Sequence, residues 1–160
     1  MMNLQPKTPG DSYTESVQII NLGTMNGYNR LFGGKLMEWI DICAAVVARR
    51  HANRNVTTVL VDTLEFKEPA YANSLVVLCA KIVYVGKTSM DVRVCSFVEK
   101  LDGSRQLINS AYLTLVALDE NEKPTAVPPL MLTTDEEKAE WEAAKARRAA
   151  RNSQRQGEQK

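Results

Sequence analysis

The sequence predicts a single α+β domain: one long central helix wrapped by a five-stranded antiparallel sheet, with a further surface helix at the C-terminus. Three observations point there. The chain has 160 residues, enough for one domain with a sizeable core. From Leu36 to Ala48 only Glu38 and Asp41 are polar, and a helix apolar on nearly every side is usually buried. Beyond the helix almost every run carries strand signal, and short turns join the runs, which makes neighbouring strands antiparallel. One helix covers only one face of such a sheet, so the sheet is expected to curve around it.

Taken in order, Tyr13 to Asn21 alternates as a first strand. Gly23 to Phe32 is rich in Asn and Gly and reads as a loop. Gly33-Gly34 opens the helix, which runs to about His51, and Asn53 and Asn55 favour a stop. Val56 to Phe66 is β-branched, Pro69 and Asn73-Ser74 turn the chain, and Leu75 to Val85 is the next run. Asn73 tolerates a left-handed conformation, which suits that turn. Gly86-Lys87 is a tight connection. Thr88 to Glu99 then places Met90, Val92, Val94, Ser96 and Val98 on one face and Ser89, Asp91, Arg93, Cys95 and Phe97 on the other. Asp102-Gly103 signals a hairpin before the last run, Leu107 to Leu118. Thr134 to Glu137 is a capping box that opens a helix acidic early and basic late, as the helix dipole favours. Trp141 is that helix's only large apolar residue, so a fraying surface helix with a solvated basic face is expected. The organisation is thus a flexible N-terminus over 1–12, a folded domain over 13–130, and a C-terminal helix with a disordered tail over 131–160, the tail beginning at Asn152.

Composition excludes several classes. Twenty basic and 19 acidic residues leave a formal charge of +1, so no global field draws the chain to nucleic acid or an anionic membrane. No run is long enough to span a bilayer, and the polar N-terminus is no signal peptide, which predicts a cytoplasmic protein. Cys43, Cys79 and Cys95 are far apart in sequence and lie in apolar runs; they read as reduced thiols buried like small hydrophobes. With His51 the sole histidine, no metal site is expected.

Asp41 is the chemically informative residue. Burying a carboxylate costs several kcal/mol or more unless it is paired or hydrogen-bonded. An acid within an apolar helix is therefore either compensated structurally or kept for chemistry. Gly33 and Gly34 let a carbonyl approach the helix start, where unpaired first-turn amides and the dipole make an oxyanion site. The same pair equally allows close packing against the sheet. Asp41 lies about two turns further on. It reaches a carbonyl there only if the acyl group lies along the helix or a neighbouring subunit supplies one component.

Asn26, then Leu31-Phe32-Gly33-Gly34, Met37-Glu38-Trp39-Ile40-Asp41 and Ala48-Arg49-Arg50-His51 resemble the acyl-coenzyme A thioesterases of the hot-dog fold. Downstream, Val61 to Phe66 with Pro69, Gly86-Lys87-Thr88-Ser89-Met90, Val116 to Asp119, Lys123-Pro124 and Val127-Pro128 follow in the family's order, so the likeness covers about residues 13 to 130. The resemblance implies hydrolysis of acyl-coenzyme A to a free fatty acid and coenzyme A, without a cofactor. It implies that Asn26 and Asp41 are the catalytic pair, contributed by opposite subunits, with Gly34 stabilising the oxyanion. Gly33, Phe66, Gly86, Lys87, Thr88 and Ser89 are implied contacts of the substrate. The implied assembly is a homo-oligomer, a dimer as the minimal unit and a hexamer as a trimer of dimers, with no nucleic-acid or membrane partner. Asp41 would act as general base or as nucleophile; the residues do not separate the two.

Other residues carry less. His51 is nearly three turns beyond Asp41 and suits the helix C-terminus better than acid–base work. Glu38 points to solvent or an interface, and Cys43 has no histidine partner. A sensor that binds acyl-coenzyme A without turning it over is the alternative function, and an assembly protein docking through the Trp141 helix is a third.

Overall fold

The computed structural model describes residues 4–158; the first three and last two residues, and with them parts of the expected flexible N-terminus and disordered tail, lie outside the described residues. The described elements are α1 (Pro9–Ser12), β1 (Thr14–Ile19), a 3-10 turn (Leu22–Thr24), α2 (Gly33–Ala52), β2 (Asn55–Phe66), β3 (Leu75–Val85), β4 (Ser89–Glu99), β5 (Arg105–Leu118) and α3 (Asp135–Glu158). The five strands form one sheet in the order β1-β3-β4-β5-β2, every neighbouring pair antiparallel. The long helix inside a five-stranded antiparallel sheet is the architecture read from the sequence.

Local chemistry accounts for the boundaries. Asn53 ends α2 in the left-handed conformation, and its amide donates to the Arg49 carbonyl. The Lys7 ammonium donates to the Arg50 and His51 carbonyls at 2.9 and 2.8 Å, satisfying acceptors the helix end leaves open. Residues 4–12 are thereby engaged with the domain: Lys7 also pairs with the backbone of Pro129 and Met131. Asn73 takes the left-handed conformation at the turn into β3, as its side chain allows.

The core lies between α2 and the inner face of the sheet. Leu36, Ile40, Ala44 and Val47, one face of α2 at helical spacing, pack against Leu78, Ile82, Val92, Val94, Leu113 and Leu115. Met90, Val92, Val94 and Ser96 are buried on the inner face, as the alternation of β4 requires.

Two bulges in β2 change the reading of that strand. The register against β5 shifts between Thr58 and Leu60 and again between Val61 and Thr63. Each shift inserts one residue and reverses the alternation. Thr58, Val61 and Leu64 therefore pair with Leu115, Leu113 and Ala111 and share the inner face. Asp62, in the second bulge, is met by Arg147 and Arg151 of α3.

The C-terminal helix departs from expectation. It continues through 152–158, where a disordered tail is predicted, and it packs on the outer face of the sheet rather than standing in solvent. Trp141 packs on Tyr84 with ring centroids 4.3 Å apart, and Ala144 is fully buried. The Arg147 guanidinium lies 3.8 Å over the Tyr112 ring and Arg148 4.4 Å over Tyr84. Glu140 bridges Lys81 and Arg93. Residues 141, 144, 148 and 151 recur every three or four positions, so Arg148 and Arg151, with Arg147, form the docking stripe with Trp141, and of the late basic residues Lys145 stays exposed.

Candidate active site

Asp41 is exposed in the single chain, which corrects the expectation of a buried acid. The physical reason is that α2 buries only one side against its own sheet. Its other side, carrying Met37, Glu38, Asp41 and Ile42, is uncovered by this chain.

The carboxylate is nonetheless held. The Thr58 hydroxyl donates to Asp41 Oδ1 at 2.7 Å, a short bond of the charge-assisted kind. Thr58 is the residue that sequence reading missed. It stands beside the first β2 bulge, and bulges re-aim side chains. Asp41, Thr58, Gly34, Met37, Glu38, Ile40, Val61, Leu64 and Leu113 line one cavity of about 370 Å³. Gly34 and Asp41, two turns apart, thus open onto the same space.

Among the described residues the amides of Gly33 and Gly34 have no hydrogen-bond acceptor, whereas those of Lys35 and Leu36 both return to the Phe32 carbonyl. Gly34 is required by its neighbour, whereas Gly33 has room for a Cβ in ordinary contact. A Cβ on Gly34 would come within 2.5 Å of the Phe32 ring, and one on Gly33 within 3.5 Å of the Phe66 ring. Two aromatic rings thus flank the helix start, and the amides between them are donors without partners.

Asn26 lines a separate cavity of about 270 Å³ with Phe66, Leu31, Pro69 and Ile108. Its Oδ1 accepts the amides of Tyr28 at 2.9 Å and Arg30 at 3.3 Å, which folds the loop and leaves the Nδ2 donor outside these bonds. Within one chain the structure does not bring Asn26 into the Asp41 cavity.

The Gly86 to Ser89 turn lines neither cavity. The Gly86 amide donates to the Ser89 carbonyl at 2.8 Å, and Lys87 is exposed. Ser89 is committed to the outer face: its hydroxyl accepts both terminal nitrogens of Arg148 at 3.1 Å, and a Cβ on Gly86 would crowd this pair. Arg148 also forms a fork on Asp91, which accepts from Thr114.

The remaining sequence candidates separate cleanly. His51 is buried, with Nε2 donating to the Pro128 carbonyl at 2.8 Å, and burial depresses its pKa. That is a structural histidine. Cys43 is buried under the sheet, and burial pushes its thiol up to about 11, far from a nucleophile's range. Glu38 pairs with Lys35 at 2.7 Å on the exposed side of α2. Among the described residues no His, Cys, Asp and Glu cluster is arranged to hold a metal ion, and no helix is long and apolar enough to cross a membrane.

The thioesterase superfamily matches residues 28–102. A Bacillus subtilis protein described as an uncharacterized acyl-CoA thioester hydrolase is 42% identical over 113 residues, covering 70% of this chain and 66% of the relative. The chain spans only 42% of the rat and mouse cytosolic acyl coenzyme A thioester hydrolases it also matches. Among solved structures, an apo-hexameric acyl-CoA thioesterase superimposes with a TM-score of 0.89 at 34% identity, covering 94% of this chain and 97% of that one. A Staphylococcus aureus acyl-CoA hydrolase in complex with butyryl coenzyme A, coenzyme A and coenzyme A disulfide gives 0.89 at 30% identity, covering 96% and 94%. Structures of that hydrolase also exist with one asparagine, one aspartate or one threonine replaced by alanine. Full-length superposition at this identity, on a helix wrapped by an antiparallel sheet, places the chain in the thioesterase superfamily, in its hot-dog fold.

Proposed function

We propose that the chain hydrolyses acyl-coenzyme A to a free fatty acid and coenzyme A, at a site completed by a second copy of itself. The observation that carries this reading is Asp41: a carboxylate fixed by Thr58 at an apolar cavity that Gly34 also lines, its amide without an acceptor among the described residues. A base or nucleophile at one end and oxyanion donors at the other are the parts that acyl transfer needs. In the S. aureus hydrolase the intervals between the replaced asparagine, aspartate and threonine are those separating Asn26, Asp41 and Thr58 here, which supports the same trio.

In the proposed reaction Asp41 removes a proton from water as the water attacks the thioester carbonyl. Alternatively Asp41 attacks directly, forming an anhydride that water then cleaves. In either course the Gly34 amide takes the developing oxyanion, the carbon–sulfur bond breaks, and coenzyme A leaves as the thiol once protonated. Asn26 Nδ2 positions the water or the carbonyl. No cofactor takes part.

The second subunit supplies Asn26. β2 is an edge strand whose outer edge is unpaired among the described residues. Pairing two such edges antiparallel about a two-fold axis brings the Phe66 end of one strand, beside Asn26, towards the Thr58 half of the other. It also covers the exposed Ile42, Val59 and Phe66. The Gly86 to Ser89 turn is proposed to take the nucleotide end of coenzyme A through Lys87 and backbone amides, Ser89 acting only through its backbone. The hexameric neighbours support a hexamer, which we propose is a trimer of such dimers, and we propose a cytoplasmic location.

A panel of acyl-coenzyme A compounds of graded chain length, assayed for free-thiol release, tests the proposal. Release that saturates with substrate and is lost in Asp41→Ala is expected. Tight binding without release at any chain length would overturn hydrolysis and leave the sensor reading.

A further inference from the structure

The sequence sets Cys79 and Cys95 well apart, but β3 and β4 bring them together. Their register places the two residues directly opposite each other. Directly opposed residues on antiparallel strands project from the same face with Cα atoms about 4.5 to 5.5 Å apart. A disulfide spans Cα separations of about 4.4 to 6.8 Å. The face is the outer one, opposite α2 and the Asp41 cavity. α3 does not cover these residues with the stripe described above, which meets Lys81, Tyr84, Arg93 and Tyr112. Both thiols are free and half-buried, unlike Cys43, which is sealed in the core. This corrects the expectation of three buried, separated thiols.

The surroundings are polar as well. The Cys79 thiol donates to Glu15 Oε2 at 3.6 Å and accepts from Arg105 Nη1 at 3.8 Å. Arg105 in turn holds Glu15 and Glu99, and Tyr13 donates to Glu15 at 3.3 Å. A sulfur held in such a network sits at a surface, where an external reagent meets it.

We propose that Cys79 and Cys95 form a reversible dithiol–disulfide site on the outer face of the sheet, oxidised by a low-molecular-weight disulfide. The step balances without a further reactant. One cysteine thiolate attacks the external disulfide and expels one external thiolate, leaving a mixed disulfide. The second cysteine, already opposite, attacks the protein sulfur and expels the other. The protein loses two thiol hydrogens and two electrons, and the external disulfide becomes two thiols. The new bond clamps β3 to β4 across a 17-residue loop and leaves the Asp41 cavity on the other face untouched. The inference does not depend on the proposed hydrolysis.

The test uses the full chain in its native assembly, incubated with oxidised glutathione, and then counts thiols and maps peptides by mass spectrometry. The thiols per chain are expected to fall from three to one, with Cys79 joined to Cys95 and Cys43 retained as the thiol. Dithiothreitol is expected to restore all three, and the oxidised protein to melt at a higher temperature. Cys79→Ser and Cys95→Ser should each end as a stable mixed glutathione adduct at the remaining cysteine. In the unaltered chain, stable glutathione adducts without the crosslink, a crosslink between subunits, an unreacted pair, or a crosslink formed only in denaturant would each overturn the proposal.

Discussion

At the scale of single residues the site depends on one hydroxyl. The Thr58 bond fixes one oxygen of Asp41 and leaves the other for chemistry. Replacing Thr58 by alanine frees the carboxylate, and loss of near-attack geometry is expected to lower kcat by about 10²-fold while KM changes little. Steady-state kinetics of the purified variant check this; an unchanged kcat would remove Thr58 from the site. Asp41→Ala should lower turnover by about 10² to 10⁴-fold, the range of a lost general base, and leave the melting temperature nearly unchanged because the side chain is exposed in its own subunit. His51 affects stability rather than catalysis. Burial depresses its folded pKa below the ordinary 6.5, so the unfolded chain binds its proton first as pH falls. Its contribution is complete above about pH 6.5 and is lost as pH drops towards the folded value. Denaturant midpoints measured at pH 7.5 and pH 5 should show a decrease at pH 5 that His51→Gln reduces.

At the scale of elements, long periodic runs were legible and irregularities were not. The helix at Gly33, its stop at Asn53, the two faces of β4 and the turn at Asp102-Gly103 each follow from a local residue choice, and each is present. The bulges of β2 are invisible to an alternating pattern. Strict alternation would put Thr58 and Leu64 on one face and Val61 on the other, whereas the bulges gather all three around Asp41. The docking of α3 was hidden for a different reason. Arginines read as solvent-facing until a sheet supplies Tyr84, Tyr112, Asp62 and Asp91 as partners. Arg148→Ala leaves the buried Asp91 carboxylate with Thr114 alone, and should cost about 3 kcal/mol, the scale of breaking a buried pair. Urea denaturation of the variant measures it, and a change within experimental error would show that α3 contributes little to the fold.

At the scale of the molecule, the proposed site needs a second copy of the chain. α2 shows Met37 and Ile42 outward and β2 shows Val59, Val61 and Phe66; Met37 and Val61 line the cavity that holds Asp41. Asp41 reads as buried from sequence because the segment's apolar character extends beyond the face that packs on its own sheet, to the exposed Met37 and Ile42, which the proposed dimer covers. Placing a charge there, as in Ile42→Glu, should dissociate the dimer and abolish turnover together, which sedimentation and the thiol-release assay read in one preparation. A monomer that keeps full activity would show that one chain suffices.

Complementation between two inactive variants addresses the shared site most directly. Asn26→Ala and Asp41→Ala, each greatly lowered in turnover alone, would be co-expressed in equal amounts and isolated as mixed assemblies. In a mixed dimer one of the two sites has both residues intact, so random pairing should restore about a quarter of the unaltered activity. No recovery, in assemblies shown by mass spectrometry to contain both variants, would contradict a site built from Asn26 of one subunit and Asp41 of the other.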